Sequence, residues 1–187
     1  MKVIRSLEYQ TMPWKNGLGS TAQIDIHPPS AVFPQDFLWR ISSATVEAAS
    51  PFSNFPGYDR LLSVWKGAGL LLNGENLTNG QILAFPGERV IESELITDTV
   101  VDLGIIFNRS KVSARMSLQE IIDQECYFDC IETANYFFCS EGSIKAQGSR
   151  DSVLLKQGDT LKVELNERIT LSSAFKASFY RFQIQML

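Results

Sequence analysis

Leu61-Leu62-Ser63-Val64-Trp65-Lys66-Gly67, then Leu70-Leu71-Leu72-Asn73-Gly74, then Asn79-Gly80-Gln81-Ile82-Leu83, is the stretch that decides the fold class. Each apolar run is too short for a stable helix and is closed by a glycine turn, which is the pattern of an antiparallel β meander. The order returns further on, as Tyr136-Phe137-Phe138-Cys139-Ser140-Glu141-Gly142, Ser143 to Gly148, and Gln157-Gly158-Asp159-Thr160-Leu161. Strand, glycine turn, strand, glycine turn, strand thus occurs twice, which predicts two related β units. Outward from this core, Thr21 to Ile26, Phe37 to Ser43, Gln81 to Phe85 and Val100 to Phe107 also read as strands. The one helical candidate is Ser117 to Glu125, with Ser117 as cap and Glu120 three residues on. The expectation is an all-β chain with few short helices, divided near Asn108 to Ser117 into barrels of residues 1–110 and 111–187 packed together.

Composition bounds the function. A net charge of -4 and a pI near 5.1, with no basic cluster, exclude the electrostatic footprint of a nucleic-acid or anionic-membrane partner. The first residues, Met1-Lys2-Val3-Ile4-Arg5-Ser6, lack the apolar core of a signal peptide, and no apolar run approaches a membrane span, so a cytoplasmic location is expected. Cys126, Cys130 and Cys139 lack paired zinc spacing and read as buried thiols. Phe107, Phe128, Phe137, Phe138, Phe175, Phe179 and Phe182 read as core.

The glycine spacing resembles the cupin family, whose first motif places two histidines and a glutamate before a turn glycine. Gly67 takes the turn position here, Arg60 falls where the glutamate would be, and Ser53 and Phe55 lie near the histidine positions. The second motif is approximated by Gly80-Gln81-Ile82-Leu83-Ala84-Phe85-Pro86-Gly87, with Glu88-Arg89-Val90 where a histidine would follow. The only histidine in the chain, His27, precedes Pro28-Pro29 in what reads as an exposed surface turn. A site centred on an arginine repels a metal ion, so no metal or other cofactor is expected, and an inward-facing Arg60 is.

Three further segments carry a closer resemblance: Trp14-Lys15-Asn16-Gly17-Leu18-Gly19-Ser20-Thr21, Trp39-Arg40-Ile41-Ser42, and Pro51-Phe52-Ser53-Asn54-Phe55-Pro56-Gly57-Tyr58-Asp59-Arg60. They are similar to the signature segments of the HutD/Ves family, and the likeness extends to about Arg109. The resemblance implies a non-metal bicupin of jelly-roll type, associated with histidine utilisation or stress-induced expression. It implies binding of a small carboxylate, a regulatory role and no established catalysis. One departure is Asp102-Leu103-Gly104, where the family carries an asparagine after Asp-Leu.

The residues support a pocket on their own chemistry. Arg40 and Arg60 carry planar forks of donors suited to a carboxylate, and each sits in an apolar strand; the alternative is an internal pair with Asp59, Glu88 or Asp102. Trp14 offers an aromatic wall, Asn16 an amide, and Gly17 a close backbone approach, with Thr21 on the strand that follows. Gly17-Leu18-Gly19 is not a dinucleotide loop, because a strand rather than a helix follows it. Ser42, Phe52, Ser53 and Phe85 complete the candidate ligand-binding set, with Glu88 and Asp102 as carboxylates able to act in acid/base chemistry. No catalytic residue is assigned, since no base stands beside the serines. Three functions remain: a carboxylate-binding regulator, a metal-independent cupin enzyme acting on a sugar or small acid, and a non-catalytic assembly protein forming a homodimer through edge strands.

Overall fold

Antiparallel pairing dominates the chain, which a computed structural model describes over residues 1–187. After β1 (Lys2–Ile4) and a single 3-10 turn at Ser6–Glu8 come β2 (Gln10–Pro13), β3 (Gly19–His27), β4 (Trp39–Val46), β5 (Ser50–Pro51) and β6 (Tyr58–Lys66). They are followed by β7 (Gly69–Leu72), β8 (Glu75–Thr78), β9 (Ile82–Pro86), β10 (Glu92–Leu95) and β11 (Val100–Asn108). The rest is β12 (Val112–Ile121), β13 (Gln124–Cys130), β14 (Ala134–Glu141), β15 (Ser143–Gln147), β16 (Ser152–Lys156), β17 (Thr160–Glu164), β18 (Glu167–Ser173) and β19 (Ala177–Met186).

Two units result, one of Tyr9–Val112 and one of Met1–Glu8 with Ser113–Leu187. The first eight residues join the C-terminal unit because β1 pairs with β17, Val3 opposite Leu161. In the Tyr9–Val112 unit a six-stranded sheet, ordered β2-β3-β4-β11-β6-β9, accompanies a four-stranded sheet β5-β10-β7-β8. Val46, Leu62, Val64 and Phe85 of the first meet Leu70, Leu72 and Leu77 of the second in one buried cluster, so the core lies between the sheets. The other unit has sheets β1-β17-β14-β19-β12 and β13-β18-β15-β16 around Phe137, Phe179, Leu161 and Ile144. The sheets are open, and each unit is a two-layer sandwich rather than a closed barrel.

The internal repeat is a repeat of pairing. β9-β6-β11-β4 in one sheet corresponds to β17-β14-β19-β12 in the other, and the hairpin β7-β8 to β15-β16. The two turn glycines correspond as well: Gly67 has φ 95° and Gly142 φ 73°. A Cβ at Gly67 would lie 2.8 Å from Val100 Cγ1, and one at Gly142 2.7 Å from the Lys176 carbonyl oxygen, so only glycine fits either turn.

Three expectations are corrected. Ser117 to Glu125 is not a helix: it spans the end of β12 and the start of β13, divided by a turn at Asp123, whose φ is 46°. The apparent cap loses because β12 joins the sheet edge beside β19, and the Ser117 hydroxyl instead accepts a 3.4 Å hydrogen bond from Gln119, two residues on along the same strand face. His27 is not an exposed turn residue; it ends β3, half-buried, with its ring stacked 4.0 Å from that of Trp39. Phe175 is not core: it stands 82% exposed at the turn between β18 and β19.

Candidate functional site

Strand alternation builds the site. Side chains two apart on a strand share a face, so Arg40, Ser42 and Ala44 of β4 project together, as do Asp102, Gly104 and Ile106 of β11. Register then aligns them across the six-stranded sheet. Arg40 lies opposite Ile106, Ile106 opposite Arg60 of β6, and Arg60 opposite Phe85 of β9. In the next row Gln23 of β3 meets Ser42, which meets Gly104, which meets Leu62. Arg40, Ile106 and Arg60 of the first row and Ser42, Gly104 and Leu62 of the second line a cavity of about 640 Å³ within the Tyr9–Val112 unit.

Nine of the twelve residues proposed from sequence line this cavity: Trp14, Asn16, Thr21, Arg40, Ser42, Phe52, Ser53, Arg60 and Asp102. Trp14 is fixed by a 2.8 Å hydrogen bond from its Nε1 to the Thr21 hydroxyl. Asn16 spends its carbonyl on the bend, accepting from the Leu18 N–H at 3.1 Å. Gly17 serves that same bend with φ 71° and does not reach the cavity. Phe85 lies behind the lining, buried beneath the Arg60 guanidinium.

Glu88 is corrected outright. It is exposed and bonds Arg109 through both carboxylate oxygens, outside the cavity. The Arg109 guanidinium holds it below the usual carboxylate range. Arg109 also pairs with Asp59 at 3.0 Å. Two of the three acids that offered themselves as internal partners for Arg40 or Arg60 are therefore committed elsewhere.

Neither cavity arginine bonds an acid directly, and Asp102 acts on Arg60 only at a distance. Neither forms an ion pair. Arg40, 4% exposed, donates from Nε to Gln23 Oε1 at 2.9 Å and stacks 3.9 Å from the Phe33 ring centroid, while its buried Nη2 finds no acceptor. Arg60 stacks 4.7 Å from Phe52 and 5.2 Å from Phe85, and its one hydrogen bond is a long 3.4 Å contact to the Ser53 carbonyl oxygen. Burial, joined at Arg40 by like-charge repulsion from Arg60, lowers both to about 10, while the Asp102 carboxylate pulls Arg60 the other way. Both stay charged at neutral pH. Asp102 is the one carboxylate in the cavity, accepting the Ala44 N–H at 2.9 Å. Burial drives it up to about 6 against the opposing pull of that N–H and of Arg60.

Such a surface suits an anion. Two guanidinium groups and one carboxylate do not fit the metal ion held by many cupins, and nowhere do three His, Cys, Asp or Glu side chains converge. Sequence reasoning missed Gln23, Phe33 and Phe55. Phe33 comes from the irregular stretch between β3 and β4, where no periodicity marks it, and the signal for Gln23 is only its even spacing from Thr21 on β3.

The other unit supplies a contrast. Arg181 on β19 lies over the rings of Phe128 and Phe137, much as Arg60 lies over Phe52 and Phe85. Its fork, however, is 3.7 Å from Glu132 and donates to Asn135 Oδ1 at 3.1 Å. Here the anion is internal.

The sequence profile of the HutD family matches residues 6–180. The chain belongs to the HutD family. An uncharacterized 21.2 kDa protein in the hutC 3' region of Pseudomonas putida is 29% identical over 90% of this chain and 90% of its own. Protein Ves of Citrobacter koseri is 31% identical over 57% of this chain and 58% of its own. Among solved structures, HutD from Pseudomonas fluorescens SBW25, in a formate condition, superposes with a TM-score of 0.82 at 27% identity, covering 100% of this chain and 98% of that one. A conserved protein of unknown function from Pseudomonas aeruginosa PAO1 reaches 0.90 at 25% identity over 98% of both. More distant neighbours share only the cupin-like fold. The three signature segments supply both cavity arginines of this HutD-family chain, together with Trp14, Ser42 and Phe52.

Proposed function

We propose that this chain binds a small carboxylate in the Tyr9–Val112 cavity and acts as a regulator of histidine utilisation through that ligand. One observation carries the reading: two guanidinium groups face the cavity with no carboxylate in ion-pair range, and the buried Arg40 Nη2 lacks any acceptor. Buried polar groups are almost always satisfied, and a planar fork of donors is matched bidentately by a carboxylate. Trp14 and Phe52 provide apolar walls, and the Ser42 hydroxyl on the floor orients the ligand. The metabolic link is supported by the hutC neighbourhood named for the Pseudomonas putida relative and by the HutD name of the Pseudomonas fluorescens structure.

A thermal-shift screen against urocanate, formylglutamate, formiminoglutamate, histidine, other small acids and sugars, repeated with chelator, tests the reading. One acid is expected to raise the melting temperature equally with and without chelator, and Arg60→Ala to abolish the rise while the protein stays folded. A flat panel contradicts it. A second reading, metal-independent catalysis, is favoured by Asp102, whose carboxyl at about 6 sits in the cavity at a value suited to proton transfer near neutral pH. Turnover of a panel compound that is lost in Asp102→Asn, with binding retained, selects that reading over simple binding.

A further inference from the structure

The longest irregular connection of the Tyr9–Val112 unit, between β3 and β4, carries Pro28-Pro29-Ser30-Ala31-Val32-Phe33-Pro34-Gln35-Asp36. Its ends are pinned together. His27 of β3 pairs with Trp39 of β4, their rings stack at 4.0 Å, and the Leu38 N–H donates to the His27 carbonyl oxygen at 2.6 Å. Between those ends nothing polar holds the segment. Its three prolines have no N–H to donate, and the Ala31 and Gln35 N–H groups donate to the carbonyls of Pro28 and Val32 within it. No hydrogen bond or ion pair joins residues 28–36 to the rest of the chain.

One ring does most of the holding. The Phe33 centroid lies 5.5 Å from those of Phe37 and Phe55, and the Arg40 guanidinium 3.9 Å from it. Ala31 adds a small contact with the same cluster. Phe33 lines the cavity and caps Arg40, which is 4% exposed. Phe55, which lines the cavity too, is fixed by its backbone. Its N–H donates to the Gly87 carbonyl oxygen at 2.9 Å, and the Gly87 N–H donates to the Tyr58 carbonyl oxygen at 2.7 Å. A Cβ at position 87 would lie 2.5 Å from the Phe55 carbonyl oxygen, so the two backbones are in close contact. The two sides of the Phe33–Phe55 contact are thus held very differently. A loop with joined ends and no outside hydrogen bonds lies at the low end of local stability and moves as a unit.

We infer that Pro28–Asp36 is a strap hinged at His27 and Phe37, that Phe33 is its latch over Arg40, and that swinging it out admits solutes to that arginine. As a gate for a ligand the strap rests on the binding reading above; its motion does not.

Double electron-electron resonance between nitroxides at Val32→Cys and Asn54→Cys, both exposed positions, in a Cys126→Ser background, reads the distance from the strap to the fixed wall. Two populations are expected, the longer one absent from a reference pair at Asn54→Cys and Asn76→Cys. A single narrow population at both pairs overturns the inference. Phenylglyoxal modification, read by peptide mass spectrometry, gauges access in the unaltered chain. Arg40 should react measurably but at least about tenfold more slowly than exposed Arg150, and Phe33→Ala should bring it within about threefold while Arg60 changes less than about twofold. Arg40 reacting as fast as Arg150 has no cover, and Arg40 that never reacts in the folded chain has no opening; each result overturns the inference. Equal acceleration of Arg40 and Arg60 by Phe33→Ala overturns the role of Phe33 as latch. Neither readout uses a ligand, so a flat thermal-shift panel contradicts the binding reading alone and a fixed strap contradicts this inference alone.

Discussion

Arg40 and Arg60 flank Ile106 on one sheet face, and neither guanidinium meets a carboxylate, although Asp59, Glu88 and Asp102 all lie nearby in sequence or register. Arg109 has taken the first two, and Asp102 is held by a backbone N–H. The arrangement separates arginines that stabilise the fold from arginines available to a ligand, and that separation is measurable.

Arg40→Met keeps the apolar stem and removes an unsatisfied buried charge, so it should change stability by less than about 1 kcal/mol or raise it. Glu132→Gln removes the internal anion beside Arg181 and should cost about 1–3 kcal/mol, discounted for partial exposure of the pair. Urea denaturation of both variants at pH 7 checks the contrast; a larger loss for Arg40→Met would mark it as structural.

Asp102 should make stability fall with rising pH. Its folded value of about 6 exceeds the ordinary unfolded value near 3.9, so the folded chain binds more protons between those limits. The contribution is full below about pH 4 and is lost as pH rises through about 6, an upper limit of roughly 3 kcal/mol. Asp102→Asn keeps the acceptor for the Ala44 N–H, and it should flatten the profile and raise the melting temperature at pH 8. Melting curves from pH 4 to 8 show whether the slope disappears.

Much of this was legible from residue patterns. Leu61 to Leu83 and its echo from Tyr136 to Leu161 specify hairpins locally, because glycines such as Gly67 and Gly142 permit only a turn. Arg60 stood where a cupin glutamate was expected, so its position followed from motif spacing. Ser117 to Glu125 misled because a capping pattern is local, whereas β12 is decided by a sheet edge supplied more than fifty residues later by β19. Glu88 misled because side-chain partners are set by register: Asp59 sits opposite Phe107, next to the turn that carries Arg109. Phe33 had no periodic signal and Gln23 only its even spacing from Thr21, and the folded sheet is what brings them to Arg40.

Gly104→Ala places a methyl group 2.7 Å from the Leu61 carbonyl oxygen and 3.3 Å from Leu62 Cδ1, on the cavity floor. The strands must shift, at a cost of about 1–3 kcal/mol, and the floor rises. Chemical denaturation should show the loss, and calorimetry a weaker association with whichever acid the thermal-shift screen selects.

Cys130 and Cys139 are buried free thiols pushed up to about 11 and about 12 by burial, so neither forms thiolate at neutral pH. A disulfide-exchange reagent at pH 7.5 should modify at most Cys126 in the folded protein and all three thiols after denaturation. Rapid reaction of two or more in the folded state contradicts this packing.

The two cavity arginines, on this reading, serve a ligand. The most direct measurement is a crystal structure grown with the acid that gives the largest thermal shift. A carboxylate is expected within hydrogen-bonding distance of the cavity arginines, supplying the acceptor that Arg40 Nη2 lacks. An acid bound elsewhere, or arginines turned to pair with Asp102 across a closed cavity, would contradict it.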